Sequence, residues 1–201
     1  MHIKTLLRRA RRAGLLLLLL TSIPTAVIAA PTLVEISPPG GAVIDQSTVT
    51  LEGRAEGAVR LVVDGRGFRV GPDGEFSAGP FKLDDGDRRF VVVLEDADGE
   101  QTAFVHGLSV DTRPPTLTVA RIAEVVGDPS LTVSGSVVDP HLREVRVGGR
   151  AAEVVGGQFS ATVTLKPGGQ RLEVVAVDVL GHESRAEVAV ELDVEPPSIA
   201  N

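Results

Sequence analysis

The chain repeats itself, and that limits its fold more than any other feature. "LSVDTRPPTLTV" around Asp111 and "ELDVEPPSIAN" around Asp193 both run a strand-like segment into Asp, two more residues and Pro-Pro. Asp111 and Asp193 are 193 − 111 = 82 residues apart, and Pro114-Pro115 and Pro196-Pro197 keep that offset. "VTLEGRAEG" from Val49 aligns with "LTVSGSVVD" from Leu131, and "LVVDGRGF" from Leu61 with "VRVGGRAA" from Val145. "GEFSA" from Gly74 aligns with "GQFSA" from Gly157. So many agreements at one spacing mark a tandem duplication. Each unit must close its own core within about 80 residues, near the lower end of domain size.

Within each unit the hydrophobic period is two. Phe90, Val92 and Leu94 share one face, as do Leu172, Val174 and Ala176; Phe104, Leu108 and Val110 correspond to Ala186, Val190 and Leu192. Period two is the mark of strands. Gly, Asp and Pro punctuate these runs every eight to twelve residues, as hairpin turns do. "VARIAEVVGD" from Val119 is the one stretch compatible with a helical turn, and its β-branched content suits a strand edge equally well. About seven short strands, each with one apolar face, must pack sheet on sheet. The expectation is all-β: two tandem immunoglobulin-like β-sandwiches after an N-terminal signal peptide. The chain has no Cys and no Trp, so Phe76 and Phe159 are the expected aromatic anchors.

The second unit, from "VRVGGRAAEVVGGQFSATVTLKPGGQRLEVVAVDVLGHES", resembles the bacterial immunoglobulin-like modules typified by domain B of glucodextranase. The shared pattern is a strand, a small-residue turn, Gly-x-Phe, Leu before glycine turns, and an alternating strand ending in "A-x-D-x-x-G". The first unit fits it more loosely, with "LEDADG" in place of "AVDVLG". The resemblance implies a non-catalytic spacer or adhesive module of a secreted or cell-surface protein.

Residues 1–29 read as a signal peptide. Lys4, Arg8, Arg9, Arg11 and Arg12 precede the apolar run "AGLLLLLLTSI", Pro24 breaks it, and "TAVIAA" offers small residues for cleavage after Ala29. The stretch from Leu15 to Ala30 is shorter than the ~20 residues that span a bilayer. Without those five basic residues the chain carries 20 − 5 = 15 Lys and Arg against 27 Asp and Glu. An acidic product is repelled by nucleic acid and anionic membrane. The expected domains are residues 31–112 and 113–195, with 196–201 opening an incomplete third repeat or a linker. Further repeats in the same chain are expected.

Chemistry-bearing clusters are few. His106, His141 and His182 do not recur at equivalent repeat positions, so no catalytic triad can be assigned. His106 falls on the inward phase of its strand; His141 and His182 read as loop residues, His182 as a solvated one. Asp84, Asp85 and Asp87 at one hairpin end, and Asp96 and Asp98 at another, are the candidate calcium ligands, since hard carboxylate oxygens suit that ion. A second candidate is the linker, where Asp111 could join loop carboxylates of the neighbouring unit. Asp and Gly are also the default turn formers. Arg60, Arg66 and Arg69 could form a basic spot for an acidic polymer. No cofactor other than calcium is suggested. A cleft rich in sugar-stacking aromatics is not expected from six Phe. The reading is a secreted or surface spacer or adhesion module, not an enzyme, with an unknown surface protein or polysaccharide as partner. The alternative is a carbohydrate-binding accessory region of a larger secreted enzyme or toxin.

Overall fold

The computed structural model describes residues 29–194. The expected signal peptide and the third-repeat segment at 196–201 lie outside the described residues, apart from Ala29. The described chain is all strand and turn, and none of its residues forms a helix long and apolar enough to cross a membrane.

The first unit contains β1 (Thr32–Ser37), β2 (Val43–Ile44), β3 (Thr48–Glu56), β4 (Arg60–Val63), β5 (Arg66–Arg69), β6 (Glu75–Lys82), β7 (Gly86–Glu95) and β8 (Gln101–Val110). One sheet has the order β1-β3-β6 and the other β2-β8-β7-β4-β5. The second unit contains β9 (Thr116–Val119), β10 (Val125–Val126), β11 (Ser130–Val138), β12 (Leu142–Val147), β13 (Arg150–Ala151), β14 (Glu153–Val155), β15 (Gln158–Thr164), β16 (Gly168–Asp178) and β17 (Glu183–Leu192). Its sheets are β14-β15-β11-β9 and β10-β17-β16-β12-β13. This is the immunoglobulin-like arrangement: the first strand starts in one sheet and switches to the other, where β2 and β10 pair parallel with the last strand of their unit. The units have eight and nine strands rather than seven, because short edge pieces continue each sheet. The first unit has no counterpart of β14 beyond a single bridge between Val70 and Phe76. "VARIAEVVGD" forms the end of β9, a loop and β10, so the strand-edge reading holds.

Local chemistry explains the turns. Asp64-Gly65 joins β4 to β5 with φ of 47° and 80°, and Gly148-Gly149 joins β12 to β13 with φ of 54° and 78°. Two positive φ values define the type I′ turn, whose twist matches the strands it connects. Asp64 tolerates this φ and also works outward: its carboxylate accepts the Val91 N–H at 2.9 Å and pairs with Arg88.

Each sandwich closes over its own core. Leu51, Leu61, Phe90, Val92 and Leu94 are fully buried in the first, and Val133, Val145, Val147 and Val174 in the second. Each fully buried side chain of this size contributes about 1.5–3 kcal/mol before entropy is counted. Phe76 and Phe159 are buried as expected, and the reason is specific. Each lies cross-strand from a glycine, Gly53 on β3 and Gly135 on β11. A Cβ at Gly135 would stand 2.1 Å from the Thr118 carbonyl oxygen and 2.6 Å from the Phe159 ring; at Gly53 the distances are 2.1 Å to the Glu35 oxygen and 2.8 Å to Phe76. The ring therefore lies over bare backbone. Gly135→Ala forces both neighbours to move and is expected to destabilise the second unit by about 1–3 kcal/mol, read as a lower midpoint in denaturant unfolding.

Candidate functional site

The chemistry gathers where the two units meet. β8 ends at Val110, and the next five residues, "DTRPP", lead into β9. Both ends of this linker are hydrogen-bonded. The Asp111 N–H donates to Ile44 O at 3.0 Å, continuing the parallel ladder between β2 and β8. Thr112 donates to Asp85 Oδ1 from its N–H at 3.1 Å and from its hydroxyl at 2.8 Å, and Arg113 pairs with the same carboxylate. The Thr112 hydroxyl bond and the neighbouring Arg113 charge hold Asp85 below the usual carboxylate range, despite some desolvation. Pro114 and Pro115 bring no donors to satisfy. Pro115 is buried, and its carbonyl accepts the Ser184 hydroxyl of β17.

Three carboxylates converge behind the linker. Asp111, Asp139 at the end of β11 and Asp178 at the end of β16 each place an oxygen within 4.8 Å of the others. Hard oxygens at that spacing are of the kind calcium accepts. Two of the three also lie within hydrogen-bond distance of an imidazole nitrogen. His141 Nδ1 lies 2.8 Å from Asp111 Oδ2, and His182 Nδ1 lies 2.7 Å from Asp178 Oδ2. Asp178 is fully buried and its Oδ1 takes the Leu180 and His182 N–H groups, each at 2.8 Å. Burial raises its pKa, but the hydrogen bonds from His182 outweigh that and hold it low. Burial pushes Asp139 up, and the like charges of Asp111 and Asp178 add to the rise.

Asp178 has a repeat equivalent at 178 − 82 = 96. Asp96 is also buried, and its Oδ1 takes the Asp98 and Glu100 N–H groups at 2.9 and 2.8 Å. The two loops are alike down to a glycine of positive φ, Gly99 and Gly181. They differ at one atom. Asp96 Oδ2 is buried without a partner, because Glu100 stands where the second unit has His182. The position of Asp139 is Gly57 in the first unit, 139 − 82 = 57. The charged junction is thus a specialisation of one end of the second unit.

The calcium candidates do not come together as one group. Asp84, Asp85 and Asp87 lie at the start of β7, Asp96 and Asp98 beyond its end. The ten residues of β7 lie between Asp85 and Asp96, about 33 Å at 3.3 Å per residue. Asp84 and Asp98 are exposed, Asp87 accepts the Ser109 hydroxyl at 3.1 Å, and only Asp85 reaches the junction. The linker candidate fares differently: Asp111 does meet loop carboxylates of its neighbour. They escaped notice because Asp139 and Asp178 sit 39 residues apart (178 − 139) in ordinary turn settings. The signal was Asp178 within "A-x-D-x-x-G". His182, read as solvated, is instead bonded at both ring nitrogens, with Asp45 Oδ2 3.2 Å from Nε2. His106 is buried with Nε2 3.0 Å from Pro38 O, a tether for the loop after β1. Arg60 and Arg69 stand opposite each other across β4 and β5, with Arg60 also 3.6 Å from Glu95, while Arg66 sits over the Phe81 ring at 5.0 Å.

With the strand order and the junction described, the comparisons can be placed. Residues 115–194 match the family described as glucodextranase, domain B. The match covers the second sandwich, the part of the chain whose turns and Gly-x-Phe hairpin carry that resemblance. The chain is also 26% identical over 172 residues to Bacillopeptidase F of Bacillus subtilis (strain 168). That alignment takes in 82% of this chain and 12% of the relative, so the chain spans only a small part of the relative's length. Among solved structures, fibronectin(III)-like modules of Clostridium thermocellum CbhA align at 14% identity and a TM-score of 0.46, covering 83% of this chain and 99% of theirs. A tetra-tandem repeat from the extending region of a large adhesion protein aligns at 19% identity and a TM-score of 0.38, covering 82% of this chain and 48% of that one.

The paired loops make a comparison possible within one molecule. Asp178→Ala loses two backbone bonds and the imidazole contact, and Asp96→Ala loses two backbone bonds. Bonds to a charged group are worth about 1.5–3 kcal/mol each, so Asp178→Ala is expected to cost its unit more than Asp96→Ala costs the first. Urea unfolding of the two variants, followed by a probe in each unit, gives the ranking.

Proposed function

We propose that this chain is an exported, non-catalytic pair of spacer modules that holds whatever adjoins it at a defined separation and angle. The observation that carries the reading is the linker. Five residues join the sandwiches, and they are hydrogen-bonded to both, through Asp85 and Ile44 on one side and His141 and Ser184 on the other. A tether between independent binding domains has no need of such bonding; a strut does. The family match of the second unit, to a lettered domain of a larger enzyme, supports the same reading. The acidic balance and the basic-then-apolar start support export. The reading needs no cofactor. A partner, a surface protein or a polysaccharide, would meet loops or an exposed strand edge.

A second reading is favoured by one observation. The alignment with Bacillopeptidase F takes in 12% of that protein, which is what an accessory region of a larger secreted enzyme would give. A depression of about 960 Å³ beside β1, β3 and β6 is lined by Glu35, Glu52, Glu75, Arg69 and Phe68 among others.

Two measurements test the proposal. Expressed with its first 29 residues, the chain is expected outside the cytoplasm with Ala30 at its N-terminus; retention inside the cell with Met1 present overturns export. Replacement of both units in the native protein by an unrelated two-sandwich spacer of equal length is expected to preserve function. Loss of function on that exchange, with binding of the isolated pair on a glycan array, moves the assignment to the accessory binding region.

A further inference from the structure

Asp96 is 5% exposed, and its Oδ2 has no hydrogen-bond partner among the described residues. Its other oxygen caps the turn between β7 and β8 by taking the Asp98 and Glu100 N–H groups. A buried carboxylate oxygen left unmatched is costly, and a cation beside it offsets the cost. In the second unit His182 fills this role for Asp178. In the first unit the corresponding residue is Glu100, which is exposed and of the wrong charge.

What reaches this pole of the first unit is the segment before β1. Pro31 is buried one residue before β1, as Pro115 is buried one residue before β9. A Cβ at Gly57 would stand 3.6 Å from Pro31 Cα and 3.8 Å from the Ala29 carbonyl oxygen, so residues 29–31 run over that turn. The turn leads to Val59, whose N–H donates at 2.9 Å to Glu95 O, the carbonyl next to Asp96. The second unit shows how near an incoming segment comes. Its counterparts of Gly57 and Asp96 are Asp139 and Asp178, and the incoming linker places an Asp111 oxygen within 4.8 Å of an oxygen of each.

We infer that the α-amino group of Ala30, freed by removal of residues 1–29, is the cation that pairs with Asp96 Oδ2. The inference rests on the export reading above, with cleavage after Ala29. Hydrolysis adds water across the Ala29–Ala30 peptide bond: Ala29 leaves with the carboxylate, and Ala30 keeps the nitrogen, an ammonium at neutral pH. Before cleavage that nitrogen is an uncharged amide with a single N–H. After cleavage it carries a full charge and several donors, and bonds between ionised partners are the strong ones. Pro31, buried and fixed in φ, keeps Ala30 at the pole where Asp96 lies. Asp98 and Glu100, both exposed and acidic, favour a cation there as well. The first sandwich thus completes its buried pair only after the leader is gone, and the processed chain is firmer at this loop than its precursor.

The test makes the processed chain directly. Residues 30–201 are released from a fusion by a protease that leaves nothing before Ala30, and a portion is acetylated at that amine, which removes the charge and keeps one N–H. Amide exchange is followed by NMR. The Asp98 and Glu100 amides are expected to exchange about tenfold faster in the acetylated chain, the size of one hydrogen bond to a charged group. The matching loop of the second unit, read at the Leu180 and His182 amides, is the internal control and is expected to be unchanged. In Asp96→Asn, which keeps an oxygen for the two backbone donors, acetylation is expected to make no difference. Equal exchange in the free and acetylated parent overturns the inference, as does an acetylation effect of the same size in Asp96→Asn. Protection that follows added calcium and ignores the amine overturns it too. Because this chain is made without export, those failures leave the export reading standing; an exported chain that begins at a residue other than Ala30 overturns the cleavage site and the inference with it.

Discussion

Everything in each sandwich depends on one close approach, that of a phenylalanine ring to a glycine backbone across two neighbouring strands. Gly53 and Gly135 leave room for Phe76 and Phe159, and also for the carbonyls of β1 and β9 on the other side. The contact fixes the spacing of three strands in one sheet. With that sheet set, the apolar faces of β7 and β16 have a defined surface to pack against. A chain without Cys or Trp thereby obtains the central pin that other sandwiches of this type build from a disulfide and an indole ring. The ring buries a large apolar area, and the missing Cβ lets it do so without pushing the strands apart.

The same geometry decides where charge can collect. Pins hold the middle of each sandwich, so variation is left to the loops at its poles. Both units keep an aspartate at the end of their penultimate strand, Asp96 and Asp178, to cap a tight turn through backbone donors. In the second unit the loop gains His182 and the end of β11 gains Asp139, and a turn cap becomes part of a contact between units. In the first unit the equivalent carboxylate keeps one buried oxygen unpartnered. A structural habit of the fold has been turned into a junction at one pole and left as a plain turn at the other.

Much of this was legible in the chain, and the rest was not for definite reasons. Period-two runs such as Phe90-Val92-Leu94, the 82-residue offset and the paired Gly-x-Phe hairpins led to the two sandwiches, because strand alternation and repeats are local signals. The junction was only half visible. Asp111 stood out through its place before Pro-Pro, but Asp139 and Asp178 become its neighbours only once β11 and β16, strands of opposite sheets, end at the same pole of the second sandwich. Asp45 comes from the other unit altogether. The calcium candidates lie apart for the matching reason: two hairpin ends separated by a ten-residue strand point to opposite poles, and counting strand residues would have separated them. His182 was misjudged because a histidine after a turn glycine is usually wet; nothing local marks the two carboxylates that meet it.

The short parallel strands give this architecture a direction. β2 enters near the beginning of the first unit and lies beside β8, which leaves toward the linker, with Val43 opposite Ser109 and Ile44 opposite Val110. The bonds from Ser109 to Ala42 and from Asp111 to Ile44 continue that ladder. β10 and β17 repeat the arrangement, down to the Asp193 N–H on Val126. A pull applied to the two ends of a unit therefore drags these parallel strands past each other lengthwise. Their hydrogen bonds lie across the line of tension and must yield together, whereas a hairpin pulled open from one end surrenders its bonds singly. A string of such units resists stretching at a pair of strands only two residues long.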